Sequence, residues 1–117
     1  MITLFGIKNC DTVKKARHWL SDNDIEHAFH DVRADGLKLE QIEEWIAKTD
    51  WEIVLNRRGT TWRKLDASIQ ENTTENSVGE LLLANPAMIK RPILDVNGVI
   101  SIGFKPDLYH SIFNSIK

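Results

Sequence analysis

The sequence predicts an α/β fold on a mixed sheet, ordered as strand, helix, strand, a helical insertion, then two strands and a closing helix. Three observations carry this reading. Short apolar, β-branched runs stand near each end of the chain. Segments with apolar residues three and four apart separate them, and Asn97-Gly98 sits between two apolar runs in the tail. With 117 residues, 42% hydrophobic and 27% charged, the chain suits a single domain over 1–117 with one core.

Ile2 to Gly6 is apolar and β-branched and closes on glycine, which predicts a buried first strand. The turn Lys8-Asn9-Cys10-Asp11 follows. From Thr12, the residues Val13, Ala16, Trp19 and Leu20 keep helical spacing with Lys14, Lys15 and Arg17 between them. This amphipathic helix has Asn9 or Asp11 as its N-cap and ends at Ser21-Asp22-Asn23-Asp24. Ile25 to Val32 reads as the second strand, and a strand, helix, strand crossover implies a parallel pair.

After Ala34-Asp35-Gly36, helical spacing returns at Leu39, Ile42, Trp45 and Ile46 and runs to about Lys48. A helical insertion is expected over approximately 38–88, its last helix starting near Thr74 and stopping before Pro86. Pro92-Ile93-Leu94-Asp95-Val96 and Val99-Ile100-Ser101-Ile102 flank Asn97-Gly98, a dipeptide suited to a two-residue type I′ turn, so the tail contains an antiparallel hairpin. Pro106 suits the first turn of a final helix with Leu108, Ile112, Phe113 and Ile116 on one face.

The totals exclude several function classes. A net charge of −2 and a pI near 6.1 offer no electrostatic footprint for nucleic acid. Runs such as Leu81-Leu82-Leu83-Ala84 fall far short of the about 20 apolar residues that span a bilayer. The first residues lack the basic flank and long apolar stretch of a secretory signal, so a cytoplasmic location is expected. The histidines His18, His27, His30 and His110 show no paired ligand spacing. His27 and His30, three apart in the expected strand, would face opposite sides, and no metal is predicted.

Cys10 is the one cysteine, so it works without a second thiol from its own chain. It follows the first strand and opens the first helix, where unpaired N–H groups and the helix dipole favour an anion. Such a place lowers a thiol pKa from about 8.5 towards neutrality. Lys8 and Lys14 would add to this, and Asp11 would oppose it. Free cysteine is often inert and buried, but the polar neighbours Lys8, Asn9 and Asp11 make this a poor burial site.

Strand, helix, strand followed by hairpin and helix is the layout of the thioredoxin fold, and Cys10 favours it over other α/β sandwiches. In that layout the residue entering the third strand is commonly a cis-proline facing the reactive cysteine, so Pro92 is expected cis with Arg91 beside Cys10. Asn56-Arg57-Arg58-Gly59-Thr60-Thr61-Trp62-Arg63-Lys64 is a local basic cluster, either a solvated face or an anion clamp. Trp19 and Trp45 read as core, and Trp62 as buried under the insertion.

Four segments in order, Gly6 to Ala16 around Cys10, Asn56 to Leu65, Met88 to Ile93, and Gly103-Phe104-Lys105-Pro106-Asp107, resemble the ArsC/Spx/YffB family, most of all its YffB branch. The resemblance spans nearly the whole chain and implies a thioredoxin-like domain with a helical insertion. In the family's arsenate reductases a first-loop thiolate attacks arsenic, three arginines hold the oxyanion, and glutathione with glutaredoxin completes the cycle. Cys10 matches the nucleophile, Arg91 one arginine, and Arg57 or Arg58 a second. Lys105 stands at the third position, and Gly6 or Ile7 stands where a histidine precedes the cysteine.

The resemblance thus implies a glutathione-dependent thiol reductase or arsenate reductase-like enzyme. It would use Cys10, supported by Lys8, Asn9 and Pro92, with substrate held by Arg91, Arg57, Arg58 and Lys105. No bound cofactor is expected; glutathione is the co-substrate and glutaredoxin a partner. The alternative it implies is a Spx-like regulator that binds RNA polymerase without turnover. Spx proteins carry a Cys-x-x-Cys switch, and Val13 occupies its second position here.

Overall fold

The computed structural model describes residues 1–115. Strand β1 (Ile2–Gly6) lies inside a four-stranded mixed sheet of order β2-β1-β3-β4, formed with β2 (Ala28–Asp31), β3 (Ile93–Val96) and β4 (Val99–Ile102). It pairs parallel with β2, Leu4 opposite Phe29 and Gly6 opposite Asp31. On its other side it pairs antiparallel with β3, Leu4 opposite Leu94. This is the expected α/β, thioredoxin-like arrangement. Residues Met1–Asp31 with the chain from Arg91 onward make one compact unit, and Val32–Lys90 make a second.

Helix α1 (Asp11–Asp22) buries Val13, Ala16 and Leu20. Its start is set by close packing. A Cβ on Gly6 would stand 2.7 Å from Val13 Cγ2, so only glycine lets the end of β1 approach this helix. At the other end Asp24 takes φ 57°. Its N–H donates to Ser21 O and that of Ile25 to Leu20 O, closing a Schellman turn.

That turn explains why β2 is half the expected length. Ile25 is spent on the helix exit, and only Ala28–Asp31 pair with β1. His27 consequently lies outside the strand, its Nδ1 2.9 Å from Ile25 O, while the His30 ring packs 5.1 Å from that of Phe5. The expected opposite-face pair of histidines in one strand is therefore not formed.

The hairpin forms as the sequence predicts, with Asn97 at φ 52° and Gly98 at φ 93°. Gly98 N–H donates to Asp95 Oδ1 at 2.7 Å, which holds the turn. Helix α7 (Pro106–Ser115) opens on Pro106, but its buried face differs from the predicted one. Tyr109 is fully buried and Phe113 nearly so, while Leu108 is exposed. The expected position of Ile116 lies outside the described residues.

Tyr109 replaces Leu108 because the core offers it rings. It meets Phe104 and Trp19 edge to face at 4.7 and 5.5 Å, and Phe113 at 6.4 Å. These rings close a core with Leu4, Ala16, Leu20, Leu94 and Val96. The phenol oxygen, however, is buried with no hydrogen-bond partner among the described residues, and burial holds its pKa far above the ordinary value. Removing an unsatisfied buried hydroxyl is favourable. Tyr109→Phe is therefore expected to keep or raise the thermal midpoint, by up to about 1 kcal/mol of stability. A clear fall in that midpoint would contradict this account.

In the second unit, α2 (Leu39–Lys48) buries Ile42, Trp45 and Ile46. Three short helices follow: α3 (Trp51–Val54), α4 (Thr60–Arg63), which buries Trp62, and α5 (Ala67–Asn72). Helix α6 (Glu75–Ala84) starts after Thr74, whose N–H donates to Ser77 Oγ at 2.9 Å, and ends before a 3-10 turn at Pro86–Met88. An antiparallel bridge joins Leu55 to Ile89, with Asn56 N–H on Met88 O and Lys90 N–H on Val54 O.

Candidate active site

Beyond Gly6 the chain turns once before entering α1. Cys10 N–H donates to Ile7 O at 3.1 Å, which closes the turn, and Cys10 O accepts from Lys14 N–H at 3.0 Å as the helix begins. Cys10 is thus itself the N-cap, with extended φ −87° and ψ 124°, in place of the expected Asn9 or Asp11. Its thiol is partly exposed and makes no capping hydrogen bond of full geometry. The N–H groups of Val13 and Thr12 nevertheless face it, as they would face a serine in the same place.

Burial alone pushes the Cys10 thiol up. The Val13 N–H, the hydrogen bond and positive charge of Arg91, and the Thr12 N–H together outweigh it, and the thiol pKa lies below its ordinary value. The backbone donors act as expected of a helix start, and the Arg91 guanidinium supplies the positive charge expected of Lys8 and Lys14. The Lys8 and Lys14 side chains are exposed.

Arg91 reaches the thiol from the entrance to β3. The Arg91-Pro92 peptide is cis, and Pro92 is buried with its carbonyl accepting from Gly103 N–H at 2.8 Å. The arginine is half-buried and its side chain hydrogen-bonds the Cys10 sulfur. Two residues far apart in sequence therefore form the core of the site.

The other residues singled out from the sequence are arranged differently. Asn9 is exposed. Lys105 is also exposed, and its carbonyl accepts Tyr109 N–H at 3.1 Å as α7 begins. Arg57 and Arg58 belong to the second unit. The Arg57 guanidinium lies 5.3 Å from the Trp51 ring centre and 3.8 Å from the Glu52 carboxylate, both contacts in the open. Arg58 is exposed and its N–H donates to Asn56 Oδ1 at 3.2 Å.

One residue escaped the sequence reading. Asp31, only 5% exposed, ends β2, and its Oδ2 accepts the Lys8 N–H at 3.2 Å. The signal was an acid next to Val32 at the end of the expected second strand, where a buried carboxylate calls for a donor. Among the described residues no group of three His, Cys, Asp or Glu side chains could hold a metal ion. No helix of the described residues is long and apolar enough to cross a membrane.

A partly exposed, acidified cysteine at a helix start, with an arginine in contact, suits nucleophilic sulfur chemistry. The ArsC family model matches residues 5–112. This chain belongs to the ArsC family. The solved structure of a protein named YFFB superposes with a TM-score of 0.91 at 47% identity, covering 95% of this chain and 97% of that one. An arsenate reductase (ArsC) related protein from Brucella melitensis is 46% identical with a TM-score of 0.78, over 96% of this ArsC-family chain and 93% of its own. The global transcriptional regulator Spx of Streptococcus agalactiae serotype V is 31% identical over 92% of this chain and 79% of the regulator.

Proposed function

We propose that this ArsC-family protein is a single-cysteine, glutathione-dependent thiol reductase with arsenate reductase-like chemistry. The observation that carries the reading is the Cys10 thiol at the start of α1, acidified by helix N–H groups and hydrogen-bonded to Arg91. The Cys10 thiolate attacks a disulfide sulfur, forms a new S–S bond and expels the other sulfur as thiolate. The chain has no second cysteine, so an external thiol must then attack the adduct. Glutathione, alone or through glutaredoxin, regains Cys10 as thiolate and leaves as disulfide. Arg91 offers a planar fork to a carboxylate or oxyanion, with Lys105 of the same unit as a further cation for the anionic substrate. The reducing thiol pool of the cytoplasm would sustain this cycle.

Oxidised glutathione should add one glutathione per chain, at Cys10, and reduced glutathione with glutaredoxin should remove it. Absence of any adduct would sink the reductase reading. Arsenate should turn over slowly or not at all, because Lys105 presents a point charge where the arsenate reductases use a guanidinium. Rapid arsenate reduction that depends on Lys105 would move the assignment to arsenate itself. Arg91→Ala is expected to weaken binding of glutathione or an oxyanion by about 1–3 kcal/mol. It should also raise the pH midpoint of Cys10 alkylation, since one cause of the lowered pKa is gone. Unchanged affinity and midpoint would mean that the arginine serves neither purpose.

The relatives named global transcriptional regulator Spx support a second reading, a transcriptional regulator, for which the proposed partner is RNA polymerase, bound without turnover. Val13 leaves it no Cys-x-x-Cys switch. Capture of purified RNA polymerase by wild type and Cys10→Ser alike, with no glutathione adduct, would favour it.

A further inference from the structure

Asp31 is the charged side chain buried among the described residues, and its place is specific. Parallel pairing sets it opposite Gly6, where the chain leaves β1. The next four residues, Ile7 to Cys10, make the turn that carries the thiol. Lys8 and Asn9 expose their side chains, so packing does not hold the middle of the turn. The Ile7 to Cys10 hydrogen bond closes it internally but does not tie it to the sheet. The bond from Lys8 N–H to Asp31 Oδ2 does, across 23 residues of sequence. A buried carboxylate needs donors and the turn needs an anchor, and the Lys8 N–H bond to Asp31 serves both.

We propose that Asp31 is a positioning residue for Cys10, holding the turn through the Lys8 N–H so that the sulfur faces the first N–H groups of α1 and Arg91. This rests on the reading of Cys10 as the working thiolate. It acts by geometry and not by charge, since a carboxylate's charge alone would disfavour a nearby thiolate.

The opposite signs of these two effects make the test. Cys10 alkylation by iodoacetamide is followed against pH in the full chain for wild type, Asp31→Ala and Asp31→Asn. Asp31→Ala should raise the midpoint and slow alkylation at pH 7 by about fivefold or more, because thiolate fraction sets the rate. Asp31→Asn keeps an oxygen that accepts Lys8 N–H and loses the charge, so its rate should stay within about twofold of wild type or rise. An unchanged midpoint in Asp31→Ala, or an equal fall in both variants, would overturn the proposal. A merely structural residue would lower the thermal midpoint without moving the alkylation profile.

Amide hydrogen exchange supplies a second readout, which does not require Asp31→Ala to fold. In wild type and Asp31→Asn, Lys8 N–H should exchange at least about tenfold more slowly than the neighbouring exposed Asn9 N–H. Equal rates at the two amides in wild type would overturn the proposal. If wild-type Cys10 titrates as an ordinary thiol, the reductase reading falls, while Lys8 exchange still decides whether Asp31 holds the turn.

Discussion

Cys10→Ser is expected to abolish the glutathione adduct and all thiol-dependent turnover while leaving the chain folded and at least as stable. The chemical loss is complete because no second cysteine can substitute and a serine hydroxyl is not ionised at neutral pH. The gain in stability follows from the same geometry. Residue 10 is the N-cap of α1, and its side chain faces the N–H groups of Thr12 and Val13, the second and third donors of the helix. Serine caps those donors better than a thiol, by about 0.5–1 kcal/mol for a partly exposed helix start. Intact mass after oxidised glutathione and the thermal midpoint check both halves. Persistent adduct formation, or a clearly destabilised variant, would count against the site.

The pH dependence of that comparison has a definite sign. A thiol whose folded pKa is lowered contributes stability that is full above the unfolded value, about 8.5. That contribution is lost as pH falls through the lowered folded pKa. Wild type should therefore gain stability relative to Cys10→Ser as pH rises across this window. Alkylation of wild-type Cys10 should show a midpoint below about 8.5 as well. A midpoint at or above it would remove the basis for catalysis.

Leu4→Ala should have the largest effect on stability. Leu4 is fully buried in the inner strand β1, between Phe29 of β2 and Leu94 of β3 in register, and packs in the core with Leu20, Tyr109 and Phe113. Neighbours on a sheet cannot collapse into the space left, so a loss of about 2–5 kcal/mol is expected. That is a large part of the about 5–15 kcal/mol that holds a typical domain. Leu4→Met, which conserves volume, should cost less than about 1.5 kcal/mol. Denaturant midpoints measure both, and equal small losses would mean that β1 is not the centre of this core. Because β1 delivers the chain to Cys10, adduct formation should fall with the folded fraction.

The sequence by itself determined the features whose physics is local. Asn97-Gly98 tolerates positive φ at both positions, so the hairpin follows whatever surrounds it. The helical spacing of Val13, Ala16 and Leu20 places α1, and with it the thiol at its start. Thr74 and Pro86 bracket α6 for equally local reasons. The tertiary structure decided what depends on partners distant in the chain. Strand β2 is short because Ile25 closes the helix exit and only Ala28–Asp31 find a partner in β1. The buried face of α7 turns to Tyr109 because Phe104, Trp19 and Phe113 assemble around it, which no window along the helix reveals. Arg91 meets Cys10 as the thioredoxin layout leads one to expect, whereas Asp31 meets Lys8 N–H only because the sheet pairs β2 with β1. Spacing along a chain specifies which face of an element is apolar. Which buried acid anchors the turn before the thiol is specified by strand order and register, and those are settled only when the whole core is buried.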